Sequence, residues 1–134
     1  SDRAYWWGDD PAAVCAYANG ADLDAKAQLP QLSANTACHD GYVFTSPVGR
    51  FRPNPFGLYD TTGDAWSWTA DCANDSYVGA PTDGSANLGG DCGQHILRGG
   101  SKLNDPTYLR AARRIWHLND VRSFNHGLRV ARTL

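Results

Sequence analysis

The chain has 134 residues, the size of one domain, and a formal net charge of −2. Ile, Leu, Val and Phe together supply only 23 residues, so an ordinary aliphatic core is excluded. Five Trp and six Tyr make up the difference, each able to bury roughly 150–250 Å². With 14 Gly, 7 Pro, two Lys, no Met and no Glu, strong helix formers are scarce and a helix bundle is excluded. No stretch approaches the ~18 apolar residues of a membrane span. No charged-then-apolar leader, heptad or repeat is present, and the Ser1 start without any Met reads as a processed or excised product.

Charge is segregated. Residues 1–97 carry 12 Asp against Arg3, Lys26, Arg50 and Arg52, net −8. Residues 98–134 carry seven Arg and Lys102 against Asp105 and Asp120, net +6. The near-neutral total predicts that the two parts pair internally. The other reading is a basic face that meets an anionic partner.

In chain order, Tyr5-Trp6-Trp7-Gly8-Asp9 is an aromatic cluster closed by a turn. Residues 9–41 form a long polar segment. Tyr42–Val48 is predicted as a short strand stopped by Pro47 and Gly49. Asn54–Asp60 is a turn leading into a short element. Gly63-Asp64-Ala65-Trp66-Ser67-Trp68 alternates large and small, as a half-buried strand does. Residues 72–93 are a second polar loop. Ile96-Leu97-Arg98 reads as a strand meeting the Gly99-Gly100 pair, where two backbones approach closely. Leu128–Ala131 is the last predicted strand. Loops this long are normally functional or pinned by a disulfide or metal.

Cys15, Cys38, Cys72 and Cys92 are even in number and form no CxxC, which argues for two bridges in an exported protein. Three connectivities are open. Sequential pairing, Cys15–Cys38 and Cys72–Cys92, is favoured, each closing a loop of about 20 residues worth about 3 kcal/mol in the chain-entropy model. Asn74-Asp75-Ser76 is a glycosylation sequon, meaningful only on a eukaryotic secretory route. His39, His95, His117 and His126 lack i,i+4 metal spacing, and Ser101 has no base at a defined spacing. Arg110, Arg113 and Arg114 with Trp116 read either as anion binders or as internally paired residues.

Asn54-Pro55-Phe56-Gly57-Leu58-Tyr59-Asp60 followed by Gly63-Asp64-Ala65-Trp66-Ser67-Trp68-Thr69 resembles the signature of the formylglycine-generating enzyme (sulfatase-modifying factor) family. Leu97-Arg98-Gly99-Gly100-Ser101, Leu109-Arg110-Ala111-Ala112-Arg113, Gly127-Leu128-Arg129-Val130-Ala131 and Tyr5-Trp6-Trp7-Gly8-Asp9 resemble further motifs of that family in the same order. The resemblance implies an α+β, loop-rich domain with short strands and a C-type-lectin-like fold. It spans residues 1–134 as a single domain, the C-terminal half of the family domain.

Enzymes of the family hold copper(I) through two cysteines shortly after the Gly-Gly-Ser motif. Soft thiolates suit that ion. Here Asn104 and Leu109 stand about where the two thiols belong, so no copper and no formylglycine chemistry are expected. The resemblance also implies a calcium site at Asn19, Gly20, Asp40 and Tyr42, through two side chains and two carbonyls. A second, weaker calcium site falls at Gly63, Asp64 and Ala65, where Ser67 replaces the family's Glu.

Residues 102–126 depart most from the family, which is polar there. Lys102, Tyr108, Ile115, Trp116, His117, Leu118 and Phe124 are read as partner-binding residues, with core packing the equal alternative. The stretch also resembles the variable region of diversity-generating retroelement proteins, in which Asn codons are randomised. Trp116 and Lys102 fall outside that pattern.

The sequence thus predicts a non-catalytic, secreted, periplasmic or cell-surface module that docks on a larger protein assembly. No nucleic-acid partner and no membrane span are expected. The alternative is a variable ligand-binding protein. An enzyme of altered chemistry has no residue set to support it.

Overall fold

A computed structural model describes residues 3–131. Its centre is one four-stranded sheet in the order β3-β2-β1-β4, built from β1 (Trp66–Ala73), β2 (Asp91–Arg98), β3 (Ile115–Leu118) and β4 (His126–Leu128). The β1–β2 and β2–β3 pairs are antiparallel, while β1–β4 is parallel. A 3₁₀ turn at Pro11–Ala16 and a short helix, α1 (Leu23–Gln28), complete the regular structure. This is the expected α+β, loop-rich architecture.

Sheet burial is uneven. β1 buries Trp66 and Cys72, and β2 buries Ile96 and Leu97 only at its C-terminal end. A second core lies outside the sheet, where Tyr5, Val14, Ala18 and Leu109 close on one another. Tyr5 and Trp7 stack at 4.7 Å, Trp7 and Tyr17 stack at 5.3 Å, and Trp6 meets both Trp7 and Tyr17 edge-on. These aromatics replace the missing aliphatic mass.

The cysteines pair as favoured. Cys15–Cys38 joins the 3₁₀ turn to the loop after α1, and Cys72–Cys92 staples β1 to the start of β2. Asp10 and Asp22 cap the two helical turns through Oδ1, accepting from Ala12 N at 2.9 Å and Ala25 N at 2.9 Å. Helical turns inside residues 9–41 were not expected, although Asp10-Pro11 is an N-terminal signal.

Three expectations about strands need correction. Tyr42–Val48 is irregular, because its backbone is satisfied by side chains. Asn19 Nδ2 donates to the Phe44 carbonyl at 2.7 Å, and Ser46 N donates to Asp64 Oδ1 at 2.9 Å. The strand expected from Gly63 starts only at Trp66, since Gly63 and Asp64 both have positive φ (77° and 59°) and form a turn. The last strand is His126–Leu128 rather than Leu128–Ala131, its three residues opposing Trp66, Ser67 and Trp68. β3 lies outside the strands expected from the sequence.

The expected internal charge pairing is absent. Among the described residues other than Arg3, no Arg or Lys pairs with an Asp, and the ion pair present is His39–Asp24 at 2.8 Å. Basic side chains turn instead to carbonyls and rings. Arg129 donates to the Tyr59 carbonyl at 2.5 Å, Arg52 lies over Tyr17, and Lys26 Nζ donates to the carbonyls of Pro30 and Leu32.

The close approach expected at Gly99-Gly100 is present. A Cβ at Gly99 would sit 2.9 Å from the Thr61 carbonyl oxygen, and one at Gly100 would sit 2.5 Å from Leu109 Cδ2 and 3.1 Å from the Tyr108 oxygen. Gly100 also has φ +73°. Gly100→Ala therefore combines backbone strain with overpacking, and a loss of about 2–4 kcal/mol is expected in urea unfolding.

Candidate functional site

The turn after β2 puts the Gly-Gly-Ser motif in the interior. Ser101 is fully buried, and its N and Oγ both donate to Asn104 Oδ1, at 3.0 and 2.8 Å. The Asn104 carbonyl accepts from Ala21 N at 2.9 Å. Leu109 is 1% exposed within the Tyr5 core. Both positions that would carry thiols are thus spent on structure, one closing the turn and one filling the core. All four cysteines are in disulfides.

Beside this turn runs the expected calcium loop. Gly20 passes so close to the turn that a Cβ would lie 2.9 Å from Leu109 Cδ1. Asp40 is 8% exposed, with Oδ2 accepting from Gly20 N at 3.0 Å and Oδ1 from Tyr42 N at 2.8 Å. The fold therefore brings Asn19, Gly20, Asp40 and Tyr42 into one place. Burial pushes the Asp40 carboxyl up to about 6, against the pull of those two N–H donors, and Asp22 and Asp24 push the same way. Asn19 is 1% exposed, and its Oδ1 has no hydrogen-bond partner. A buried orphan amide oxygen, one residue from the Gly20 N–H that binds a buried carboxylate, belongs to a donor set that fits a hard, oxygen-seeking ion.

Sequence reading missed Asp22. Its carboxylate, that of Asp40 and Cys15 Sγ lie within 4.8 Å of one another. Cys15 is held in its disulfide and offers no thiolate. Asp22 Oδ2 accepts from Asp40 N at 2.6 Å, so this residue both caps α1 and positions the backbone of Asp40. The cap position of Asp22 was the available signal.

A model of the sulfatase-modifying factor enzyme 1-like domain matches residues 1–134. The chain belongs to this family. It is 36% identical over 100 residues to the formylglycine-generating enzyme of Streptomyces coelicolor, covering 72% of this chain and 32% of that protein. It is 33% identical over 98 residues to a Bos taurus protein named inactive C-alpha-formylglycine-generating enzyme 2, covering 69% of this chain and 28% of that one. Among solved structures, PvdO from Pseudomonas aeruginosa superposes with a TM-score of 0.69 at 35% identity, over 86% of this chain and 38% of PvdO. Variable protein 1 of Treponema denticola shares the fold, with a TM-score of 0.67 at 22% identity over 96% of this chain and 40% of that one. The chain thus spans about a third of the length of the curated relatives it matches.

In this family member the weaker calcium position is turned inward. Asp64 Oδ1 accepts from Asn19 Nδ2 at 3.0 Å and from Ser46 N at 2.9 Å, and a Cβ on Gly63 would overlap the Asn19 carbonyl. Gly63, Asp64 and Ala65 therefore form a strut against the Asn19 loop.

The expected partner face divides. Trp116 (55% exposed) and Leu118 (54%) alternate outward on the edge strand β3, while Ile115 and His117 are half-buried. Phe124 is 74% exposed. Tyr108 is half-buried, with the Arg113 guanidinium 4.4 Å above its ring. Lys102 is only 2% exposed and is corrected from a contact residue to a support, its Nζ donating to the Phe124 carbonyl at 3.1 Å. Not expected was a cleft of about 470 Å³ between the 46–48 loop, the Gly63 turn and β4. Exposed Val48, Leu128 and Val130 border it.

Two predictions arise. Asn19→Ala takes the side-chain donor from the Phe44 carbonyl and leaves Asp64 Oδ1 with Ser46 N alone, so a loss of about 1–3 kcal/mol is expected in chemical denaturation. His126 is held below its usual 6.5 by burial and by His117, whose ring is 4.9 Å away. The unfolded chain then takes up this proton first, so stability falls as pH drops from 6.5 through the depressed value. An NMR titration should show His126 below 6.5, and His117→Gln should raise it.

Proposed function

We propose that the chain is a non-catalytic, extracytoplasmic binding module that docks on a larger protein assembly. The observation that carries this reading is the use of Asn104 and Leu109 as a turn clamp and a core residue, where catalytic relatives would need thiols. Two disulfides support placement in an oxidising compartment. No helix among the described residues is long and apolar enough to cross a membrane. Exposed Trp116, Leu118 and Phe124, with Val48, Leu128 and Val130, supply apolar anchors for a protein partner.

In this reading calcium is held by the Asn19 amide oxygen and the Asp40 carboxylate, with the Gly20 and Tyr42 carbonyls. The ion supplies positive charge to a buried acidic loop and locks it, without reactive chemistry. Nucleic acid is not part of the reading.

A second reading, a variable ligand-binding protein, draws on the exposure of Trp116, Leu118, Asn119, Asp120 and Phe124 in one stretch. A copy of the gene's 3′ end beside a reverse transcriptase would decide for it.

Native mass spectrometry of material isolated without chelator tests the docking reading. A heteromeric assembly lost in a Trp116→Ser/Leu118→Ser variant is expected, and a lone monomer overturns it. Conversion of a cysteine peptide to formylglycine would overturn the non-catalytic assignment. Calcium at about 100 times its Kd should stabilise the fold by about 2.7 kcal/mol in differential scanning calorimetry, and Asp40→Asn should abolish that gain.

A further inference from the structure

On the far side of Leu109 from the calcium loop, the 107–114 segment faces the loop after β1 across a groove of about 610 Å³. Its lining includes Arg110, Arg113 and Arg114, the polar residue Ser76, the ring of Tyr77, and one acid, Asp75. Lining charge is therefore +2, three guanidiniums against one carboxylate. None of the three arginines pairs with a carboxylate, although the acidic part of the chain offers twelve.

The guanidiniums are arranged rather than loose. Arg113 lies 4.4 Å over Tyr108, and Arg114 lies 4.5 Å over Tyr77. Arg114 Nη2 donates to Asn74 at 3.0 Å (carbonyl) and 2.8 Å (Oδ1), which leaves its other nitrogens available. Arg98 Nη1 donates to the Tyr77 hydroxyl at 2.9 Å and reaches the carbonyls of Ala112 and Arg113 at 3.5 Å. It thereby holds both Tyr77 and the backbone that presents the arginines. The Arg110 side chain is exposed and makes no hydrogen bond or ion pair. Stacked guanidiniums lose little freedom when their remaining N–H groups meet an oxyanion.

We infer that this groove binds a phosphate monoester. Such a group carries −1.5 to −2 at neutral pH, which matches the +2 lining. Its tetrahedral oxygens take paired N–H donors from several directions, as converging guanidiniums provide. The groove is larger than the phosphate alone and lies in the size range of small-molecule sites. The 56% exposed Tyr77 ring offers a surface for the organic part of the ester. The ligand is a soluble ester, since Ala112 is the largest aliphatic side chain in the groove lining and would not anchor it in a bilayer.

The test titrates the whole chain with inorganic phosphate and with phenyl phosphate by calorimetry, at an ionic strength fixed with chloride. Saturable 1:1 binding is expected, tighter for phenyl phosphate. Arg110→Gln, which removes a side chain with no hydrogen bond or ion pair of its own, should weaken it about tenfold, and Arg110→Gln/Arg113→Gln should weaken it further. Arg122→Gln, outside the groove, should leave it unchanged. Near-UV circular dichroism confirms that each variant is folded. Absence of saturable binding overturns the inference, as does equal weakening by Arg122→Gln. Sedimentation with phosphatidic acid vesicles in the absence of phenyl phosphate binding overturns the soluble-ester assignment in favour of a lipid headgroup.

Discussion

Three backbone segments cross at one point, and the positions of the loops depend on that crossing. Asp64 N donates to the Asn19 carbonyl at 2.8 Å, Gly63 N to the Gly99 carbonyl at 2.8 Å, Lys102 N to the Asp64 carbonyl at 3.0 Å, and Ala21 N to the Asn104 carbonyl at 2.9 Å. Gly63, Gly99 and Gly20 are the residues that let the segments come this near, for a Cβ at any of them would overlap a neighbour. Buried backbone groups must find partners. Here they find them across segments far apart in sequence, where most folds of this size would use a longer ladder. The side chain of Asn19 adds two further links, to Phe44 and to Asp64.

A crossing of loops is held in place by what surrounds it. With few aliphatic residues, the chain uses stacked Tyr5, Trp7 and Tyr17 on one flank and the Trp66–Ile96–Leu97 sheet core on the other. Each disulfide closes a polar loop that emerges from one of these flanks. The Cys15–Cys38 bridge is the more consequential, because the loop it closes contains Asn19, Asp22 and, just beyond, Asp40. Burying two carboxylates this near each other is costly unless a proton or a cation compensates. Burial first, and then the neighbouring Asp22 and Asp24, push the Asp40 carboxyl up, the direction such a cost dictates.

Motif-bearing positions were legible in the sequence, and connections made at long range were not. The Gly99-Gly100 approach, the sequential disulfides and the β1 and β2 strands follow from residue types whose local demands are strong, whereas the grouping of Asn19 with Asp40 was implied by the family resemblance alone. β3 was not legible, because Ile115-Trp116-His117-Leu118 becomes a strand only by pairing with Gln94–Leu97. Tyr42–Val48 has the composition of a strand but lies where Asn19 and Asp64 take its backbone groups. Net charge arithmetic failed most clearly, since attraction between exposed charges is too weak to select pairs. The arginines found carbonyls and tyrosine rings, which are fixed in place and cost less to approach.

The same arginines show how one segment serves two purposes. Between Asn104 and Arg114 the chain runs along the crossing, with Asn104 clamping the turn and Leu109 filling the core on the inner side. Arg110, Arg113 and Arg114 are placed on the outer side by that inner anchoring. Leu109 closes the inner face of the segment and anchors it in the Tyr5 core. Its outer face is then free to specialise, and it carries the densest run of unpaired positive charge among the described residues. The Leu109 core contact and the outward set of arginines are thus two sides of one packing arrangement.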